Sequence, residues 1–239
     1  MSSTTLRRVE RVRHELKRRE LTVQAVEQLT PHFRRITFVD ESLSDFTSLA
    51  FDDHIKVFVG EDARRDYTPR SFDNAARELV IEFALHGEGP AAEWAARAKT
   101  GDTLAIGGPK GSLIVPLDYD WHLLVGDETA FPAVARRLEE LPAGARAIVI
   151  LQAEDSADRR VFASRADVTL TWVSTDAELL AAVRALALPE GDGYAWCAGE
   201  ASAMAALRRE LVEVKGHPGE SIRAAAYWKR GARGHHENL

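Results

Sequence analysis

The chain has 239 residues, 45% of them hydrophobic, enough for one large core or two small ones, and ordinary domain sizes favour two. Its 31 Lys and Arg against 37 Asp and Glu leave a net charge of −6, which speaks against a broad nucleic-acid surface. The lone cysteine, Cys197, excludes an internal disulfide and a cysteine-built zinc site and suits a reducing compartment.

The opening MSSTTLRRVERVRHELKRRE has no apolar h-region, and no later window reaches the ~18 apolar residues of a membrane helix, so a soluble, cytoplasmic protein is expected. Residues 6–20 are polar all round with dispersed arginines, which predicts a solvated helix or a loose arm. From Leu21 to Gly111, short alternating apolar runs at 36–39, 55–59, 79–85 and 103–106 predict a small antiparallel barrel. One helix is predicted among these strands at 90–99, alanine-rich, opened by Pro90 and stopped before Thr100-Gly101-Asp102. After Pro116 the runs 122–126, 145–152, 168–173 and 193–199 are too apolar for a one-sided sheet, and helical stripes at 132–141, 176–186 and 201–211 separate them. That half reads as a parallel α/β sheet. The change of pattern near 113–121 gives expected domains of 20–116 and 117–239.

Five segments carry candidate chemistry. In Arg65-Asp66-Tyr67-Thr68-Pro69-Arg70, alternation along an extended chain groups Arg65 with Tyr67 and Thr68 with Arg70. Two guanidinium forks beside an aromatic plane suit an anionic, aromatic ligand such as a flavin nucleotide, although a solvated strand with an incidental tyrosine has the same pattern. His86-Gly87-Glu88-Gly89-Pro90 places small residues at a helix N-terminus, a setting that favours phosphate and is equally that of an ordinary strand–helix loop. Gly126-Asp127-Glu128-Thr129-Ala130 and Trp196-Cys197-Ala198-Gly199-Glu200 each join a buried strand to a helix, where open parallel sheets place nucleotides. Neither is a GxGxxG fingerprint, and two adjacent acids sit awkwardly against a pyrophosphate. The tail Tyr227-Trp228-Lys229-Arg230-Gly231-Ala232-Arg233-Gly234-His235-His236 is an electropositive patch fit to steer an acidic ligand; its adjacent histidines diverge in a strand and make a poor metal pair.

Together these strings resemble the siderophore-interacting protein family, flavin-dependent ferric-siderophore reductases related to the ferredoxin–NADP reductase superfamily. The resemblance rests on Thr30 to Phe38, Arg65 to Arg70, His86-Gly87 with Gly89-Pro90-Ala91 and Trp94, Gly107 to Gly111, Gly126 to Ala130 with Pro132-Ala133, Cys197 to Glu200, and Tyr227 to Gly231. It implies an N-terminal all-β antiparallel (Greek-key) FAD-binding barrel followed by an α/β parallel-sheet domain for NAD(P)H. By position, Tyr67 and Thr68 would contact the isoalloxazine and Arg70 the pyrophosphate, with Arg65 a further phosphate contact. His86, Gly87, Gly89, Ala91 and Ala92 would lie along the phosphates, and Asp127, Glu128, Thr129, Ala198 and Gly199 would line the nicotinamide crevice. Lys229, Arg230 and Arg233 are the candidate docking patch for an anionic ferric siderophore. Family members often carry Ser at the place of Ala92 and Leu at the place of Phe131.

The implied activity passes electrons from NAD(P)H through FAD to Fe(III)-siderophore, releasing Fe(II). The flavin supplies the redox chemistry, so no proton-transferring catalytic residue and no protein-bound metal is assigned. Reduced ferredoxin as donor, a non-catalytic siderophore binder, and a generic flavin or quinone reductase are the competing readings. Monomer is the expected state.

Overall fold

The computed structural model describes residues 9–60, 63–85, 89–232 and 237–238. In chain order the first half forms β1 (Glu10–Arg13), β2 (Arg18–Thr30), β3 (Phe33–Val39), β4 (Ile55–Val59), β5 (Ala63–Tyr67), β6 (Pro69–Asp73), β7 (Glu78–Ala84), α1 (Pro90–Arg97), β8 (Thr103–Gly107) and β9 (Gly111–Ile114). The second half forms β10 (Trp121–Gly126), α2 (Phe131–Glu140), β11 (Arg146–Gln152), β12 (Asp167–Val173), α3 (Asp176–Ala185), β13 (Gly193–Glu200), α4 (Ala201–Arg209), β14 (Ile222–Trp228) and β15 (Glu237–Asn238).

Seven strands make one antiparallel sheet in the order β5-β4-β8-β2-β3-β7-β6. Its two edge strands, β5 and β6, are consecutive in the chain and joined through Thr68, so the sheet must curl until its edges nearly meet. The Tyr67 ring of β5 accordingly lies 4.5 Å from the Phe83 ring of β7. Alternate residues point inward: Leu21, Val23, Ile36, Phe38, Ile55, Val57, Leu79, Ile81 and Ile106 are almost completely buried, and each such side chain contributes about 1.5–3 kcal/mol of transfer free energy.

Of the predicted helix or arm at 6–20, residues 10–13 are β1 and 18–20 open β2, while 6–8 lie outside the described residues. Val9 packs against the core, and residues 10–13 pair antiparallel with β9, where Glu10 faces Ile114 and Arg13 faces Gly111. Polar composition hides this strand because it pairs only with β9, in a separate two-stranded sheet, and keeps most of its side chains in water. β2, whose alternation is confined to its first half, and β5, β6 and β9, which lack a clean one, are not among the predicted strands.

The second sheet runs β12-β11-β10-β13-β14-β15, parallel for five strands with β15 antiparallel at the end. Every residue of β10 and β13 is buried, because helices cover both faces. Phe131, Val134 and Leu138 of α2 pack on Leu124, Val149 and Trp196, while Leu179 and Val183 of α3 and Met204 and Leu207 of α4 pack with Leu123, Val125 and Ile150. The chain steps outward from β10 to β11 and β12, then returns to β13 on the other flank of β10. That reversal is the switch point of a doubly wound sheet, and a crevice opens there at the carboxyl ends of the strands.

Polar bridges join the two sheets. Arg136 of α2 donates to the Ser48 carbonyl at 2.8 Å and to its hydroxyl at 2.7 Å, and Arg137 donates to the Pro116 carbonyl at 2.7 Å. The buried Asp52 carboxylate accepts the Trp196 indole N–H at 3.1 Å and pairs with Arg223 at 2.8 Å. The β2–β3 turn is pinned to Asp158 by Thr30 at 2.6 Å and His32 at 2.8 Å. Among the described residues no helix is long and apolar enough to cross a membrane.

Candidate functional site

The seam between β5 and β6 opens into a cleft between the two sheets, with about 1060 Å³ of empty space counting its solvent-open mouth. Arg65, Tyr67 and Thr68 wall it from the curled sheet, Gly89, Ala91 and Ala92 from the start of α1, Glu128 and Thr129 from the loop after β10, and Tyr227 and Trp228 from the end of β14. Phe33, which stacks on Phe131 at 5.4 Å, adds a further aromatic wall.

Proline at the first position of α1 leaves that turn without one N–H, and Gly89 ahead of it has no side chain to cap the rest. The amides of Ala91 and Ala92 therefore have no acceptor inside the helix, and both residues line the cleft. An uncapped helix start beside Arg65 is a fit place for an anion. His86, Gly87 and Arg233, expected in the cofactor and substrate sets, lie outside the described residues, as do His235 and His236.

Arg70 is not in the cleft wall. Its guanidinium grips Glu139 of α2 through two hydrogen bonds, at 2.8 and 2.5 Å, and its Nε lies 3.5 Å from Glu82. Strand alternation turns Arg70, expected at the pyrophosphate, toward the second sheet, and leaves Arg65 as the arginine of this segment that lines the cleft. Glu82, a buried cleft residue absent from the sequence-based set, also pairs with Arg35 at 2.9 Å and Arg160 at 2.6 Å.

Asp127 does not face the cleft either. It is 5% exposed, and both carboxylate oxygens are taken: Oδ1 accepts the Thr129 N–H at 2.9 Å and hydroxyl at 2.5 Å, Oδ2 the Glu200 N–H at 2.9 Å and the Trp228 indole N–H at 2.8 Å. Burial pushes this carboxyl up, and the four donors oppose that shift. Gly199 makes the clamp possible: at φ +154°, a β-carbon there would collide with Asp127 Oδ2. Gly126 is needed for a similar reason, since a β-carbon would meet the Ala198 carbonyl at 2.5 Å. Ala198 and Gly199 are buried packing positions outside the cleft lining, not crevice surfaces.

Glu128 does face the cleft. Its Oε1 accepts the Glu154 N–H at 2.8 Å, and burial, reinforced by Asp127, Glu154 and Asp158 and opposed by the Glu154 N–H, pushes its carboxyl up to about 7. Glu200 caps α4 by accepting the amides of Ser202 at 2.7 Å and Ala203 at 3.2 Å, and its other oxygen accepts the Arg230 N–H at 3.2 Å. Four hydrogen bonds to this carboxylate, the Ser202 hydroxyl giving the fourth, outweigh its desolvation and hold it down to about 2. Lys229 and Arg230 are exposed directly beyond Trp228; Arg230 pairs with Asp176 at 3.2 Å and lies over the Trp228 ring. The sequence alone does not reveal the placement of Tyr227 and Trp228 in the cleft wall, since both read as core packing in a charged tail; the available signal is that their strand ends at the same sheet edge as β13.

A curled antiparallel sheet followed by a doubly wound sheet, with the cleft between them, defines a ferredoxin-reductase-like fold. The ferredoxin reductase of carbazole 1,9a-dioxygenase has it: TM-score 0.69 at 16% identity, covering 87% of this chain and 66% of that one. Residues 119–231 match the family model for siderophore-interacting proteins, and 22–65 and 61–113 match the siderophore-interacting FAD-binding domain. The chain belongs to the siderophore-interacting protein family. It is 35% identical to the NADPH-dependent ferric-chelate reductase of Escherichia coli K12, over 95% of this chain and 98% of that protein. It is 33% identical to a siderophore utilization protein from T. fusca, with TM-score 0.87 over 95% and 98% of the two chains.

Proposed function

We propose that this protein is an FAD-dependent reductase that takes electrons from NADPH and delivers them to the Fe(III) of a ferric siderophore. The observation that carries the reading is the meeting of Arg65, Tyr67 and Thr68, the uncapped start of α1 and the switch-point loop around one aromatic-walled cleft. Such a donor set fits FAD: cation and free amides for phosphates, and flat apolar walls for the ring system.

When bound, FAD supplies the step between two-electron and one-electron chemistry. The chain's residues bind and orient. Arg65 and the Ala91 and Ala92 amides hold the phosphates, with Gly89 giving the backbone close approach. Tyr67 and Thr68, at the seam, fix the ring system from the side of the curled sheet, and Trp228 closes the cleft from the second sheet, its indole anchored by Asp127. Glu128 and Thr129 at the β10–β13 switch point receive the nicotinamide nucleotide. Residues 20–116 then form the flavin unit and 117–239 the nucleotide unit. Lys229, Arg230 and Arg233 steer an anionic ferric siderophore toward the mouth of the cleft. One hydride carries two electrons, enough for two Fe(III) ions, and Fe(II) leaves because hard oxygen ligands hold it far less well. The protein acts as a monomer in the cytoplasm.

The test is the visible spectrum of the protein reconstituted with FAD, followed anaerobically as NADPH, then a ferric siderophore, are added with a ferrous trap present. Flavin bands that bleach with NADPH and return as trapped Fe(II) accumulates are expected. A protein that takes up no FAD overturns the reading.

A further inference from the structure

We propose that Arg159 and Ser174 form the subsite for the 2′-phosphate of the nicotinamide nucleotide, with Gln152 meeting the adenosine that carries it, so that these residues select NADPH over NADH. This rests on the reading of the β10–β13 crevice as the nucleotide site. A dinucleotide seated at a switch point lies across the carboxyl ends of the strands, and its adenosine half then runs outward over β11 and β12. β12 stands two strand spacings, about 10 Å, from β10. Whether such a place takes a 2′-hydroxyl or a 2′-phosphate depends on the side chain found there: an acid accepts from the hydroxyl, an arginine holds the phosphate.

The carboxyl edge of β11 and β12 carries polar groups that the fold leaves unused. Gln152 is buried at the last position of β11, beside Val173 of β12, and its Oε1 has no hydrogen-bond partner. A buried amide in that state costs stability unless a ligand completes it. Arg159, exposed on the loop after β11, donates to the Ser174 hydroxyl oxygen at 3.2 Å, spanning the ends of the two strands, and among the described residues no carboxylate pairs with it. The acids nearby are engaged elsewhere. Asp155 and Asp158 face His32 at 4.0 and 2.8 Å, Asp176 pairs with Arg230 at 3.2 Å, and Glu178 accepts the Ser174 N–H at 2.8 Å. Glu154 is tied through its N–H to Glu128, toward the cleft. What remains is an uncompensated guanidinium beside a hydroxyl whose own hydrogen can donate, the donor pair that suits a phosphate monoester.

The experiment is calorimetric titration of the FAD-loaded protein, in which the flavin's own adenosine site is filled, with adenosine 2′,5′-bisphosphate, its 3′,5′ isomer and AMP. Wild type is expected to bind the 2′,5′ compound about 10–100-fold more tightly than AMP, the worth of one charge-assisted hydrogen bond, and the equally charged 3′,5′ isomer with little gain over AMP. Arg159→Ala, a change at an exposed side chain, is expected to bring the 2′,5′ compound down to AMP, and Arg159→Lys to restore part of the difference. Gln152→Leu, similar in size and without polar atoms, is expected to weaken AMP and the 2′,5′ compound alike, by about tenfold, with no loss of Tm. Equal gains for the two bisphosphates, no gain for either, or a 2′,5′ preference that survives in Arg159→Ala overturns the phosphate subsite and leaves the nucleotide crevice standing. Unchanged affinities in Gln152→Leu overturn its role at the adenosine. A wild type that binds none of the three compounds overturns the crevice reading as well.

Discussion

Replacing Asp127 with Asn changes the hydrogen-bonding polarity of one oxygen and nothing in shape, which makes it a clean probe of the clamp between the β10 and β13 loops. With the amide turned one way, the new NH₂ faces the Glu200 N–H and the Trp228 indole, and two buried donors lose their acceptor. Turned the other way it faces Thr129, whose hydroxyl can rotate to accept but whose N–H cannot. At least one buried donor is therefore orphaned, at about 1–3 kcal/mol each. For a chain of this size the smaller loss corresponds to a Tm lowered by roughly 2–12 °C. Thermal unfolding of the apo protein reads it directly. Asp127→Asn should cost less in a Trp228→Phe background than in the wild-type chain if Trp228 is the orphan, a coupling that a double-mutant cycle isolates. A Tm within a degree of wild type, together with a weakened NADP+ affinity, would refute the clamp and return Asp127 to the ligand-contact role.

Three further outcomes are expected. Cys197, fully buried in β13 and pushed up to about 12 by desolvation, should resist iodoacetamide in the native protein at pH 8 and react once it unfolds; native labelling would show that β13 opens. The hydrogen bond and charge of Asp158 raise His32, so this contact stabilises fully below the unfolded histidine value of about 6.5 and is lost as pH rises through the folded value. Burial alone would raise Asp158, but Thr30 and His32 hold it low, so its own contribution fades only in acid. The stability gap between wild type and His32→Gln should shrink from pH 6 to 8.5, and a constant gap would remove the clasp. Alanine at Lys229, Arg230 and Arg233 together should raise KM for an anionic ferric siderophore most strongly at low salt, and an unchanged KM there would detach the tail from docking.

The α/β half is the more legible from sequence because strands buried on both faces and helices with apolar stripes leave strong one-dimensional signals. The runs at 122–126, 145–152, 168–173 and 193–199 are all strands, β10 to β13. The barrel is harder. β5 and β6 are edge strands whose residues divide between cleft, core and the second sheet, so ARRDY and PRSFD show no clean alternation. Of the residues that line the cleft, Arg65, Tyr67 and Thr68 are suggested by their residue types, whereas Ala91 and Glu128 come only from the family resemblance, two adjacent acids being an awkward match to an anionic ligand. Arg70, Asp127, Ala198 and Gly199 carry the same local pattern and stand elsewhere, because what separates them is which side of a strand faces Glu139, or which carboxylate meets four donors. Those are tertiary facts. Trp228 escapes the sequence for the same reason: only the order of the sheet brings the end of β14 beside the β10 loop.

In the proposed reading, the two carboxylates at the switch point explain how an acidic loop can serve an anionic ligand. Asp127 and Glu200 each accept four hydrogen bonds, and between them they satisfy amides on the loops that lead into α2 and α4 and anchor the tail at Trp228 and Arg230. The start of α4, capped by Glu200, is closed to phosphate. Positive character is concentrated instead on the other wall, where Arg65 stands beside the uncapped start of α1. In the proposed reading this asymmetry sorts the two nucleotides. The tightly held, permanent cofactor gets the cationic wall, and the exchanging one meets the switch-point loop, where Thr129 is a neutral donor, an arrangement that favours release after each turnover over tight retention.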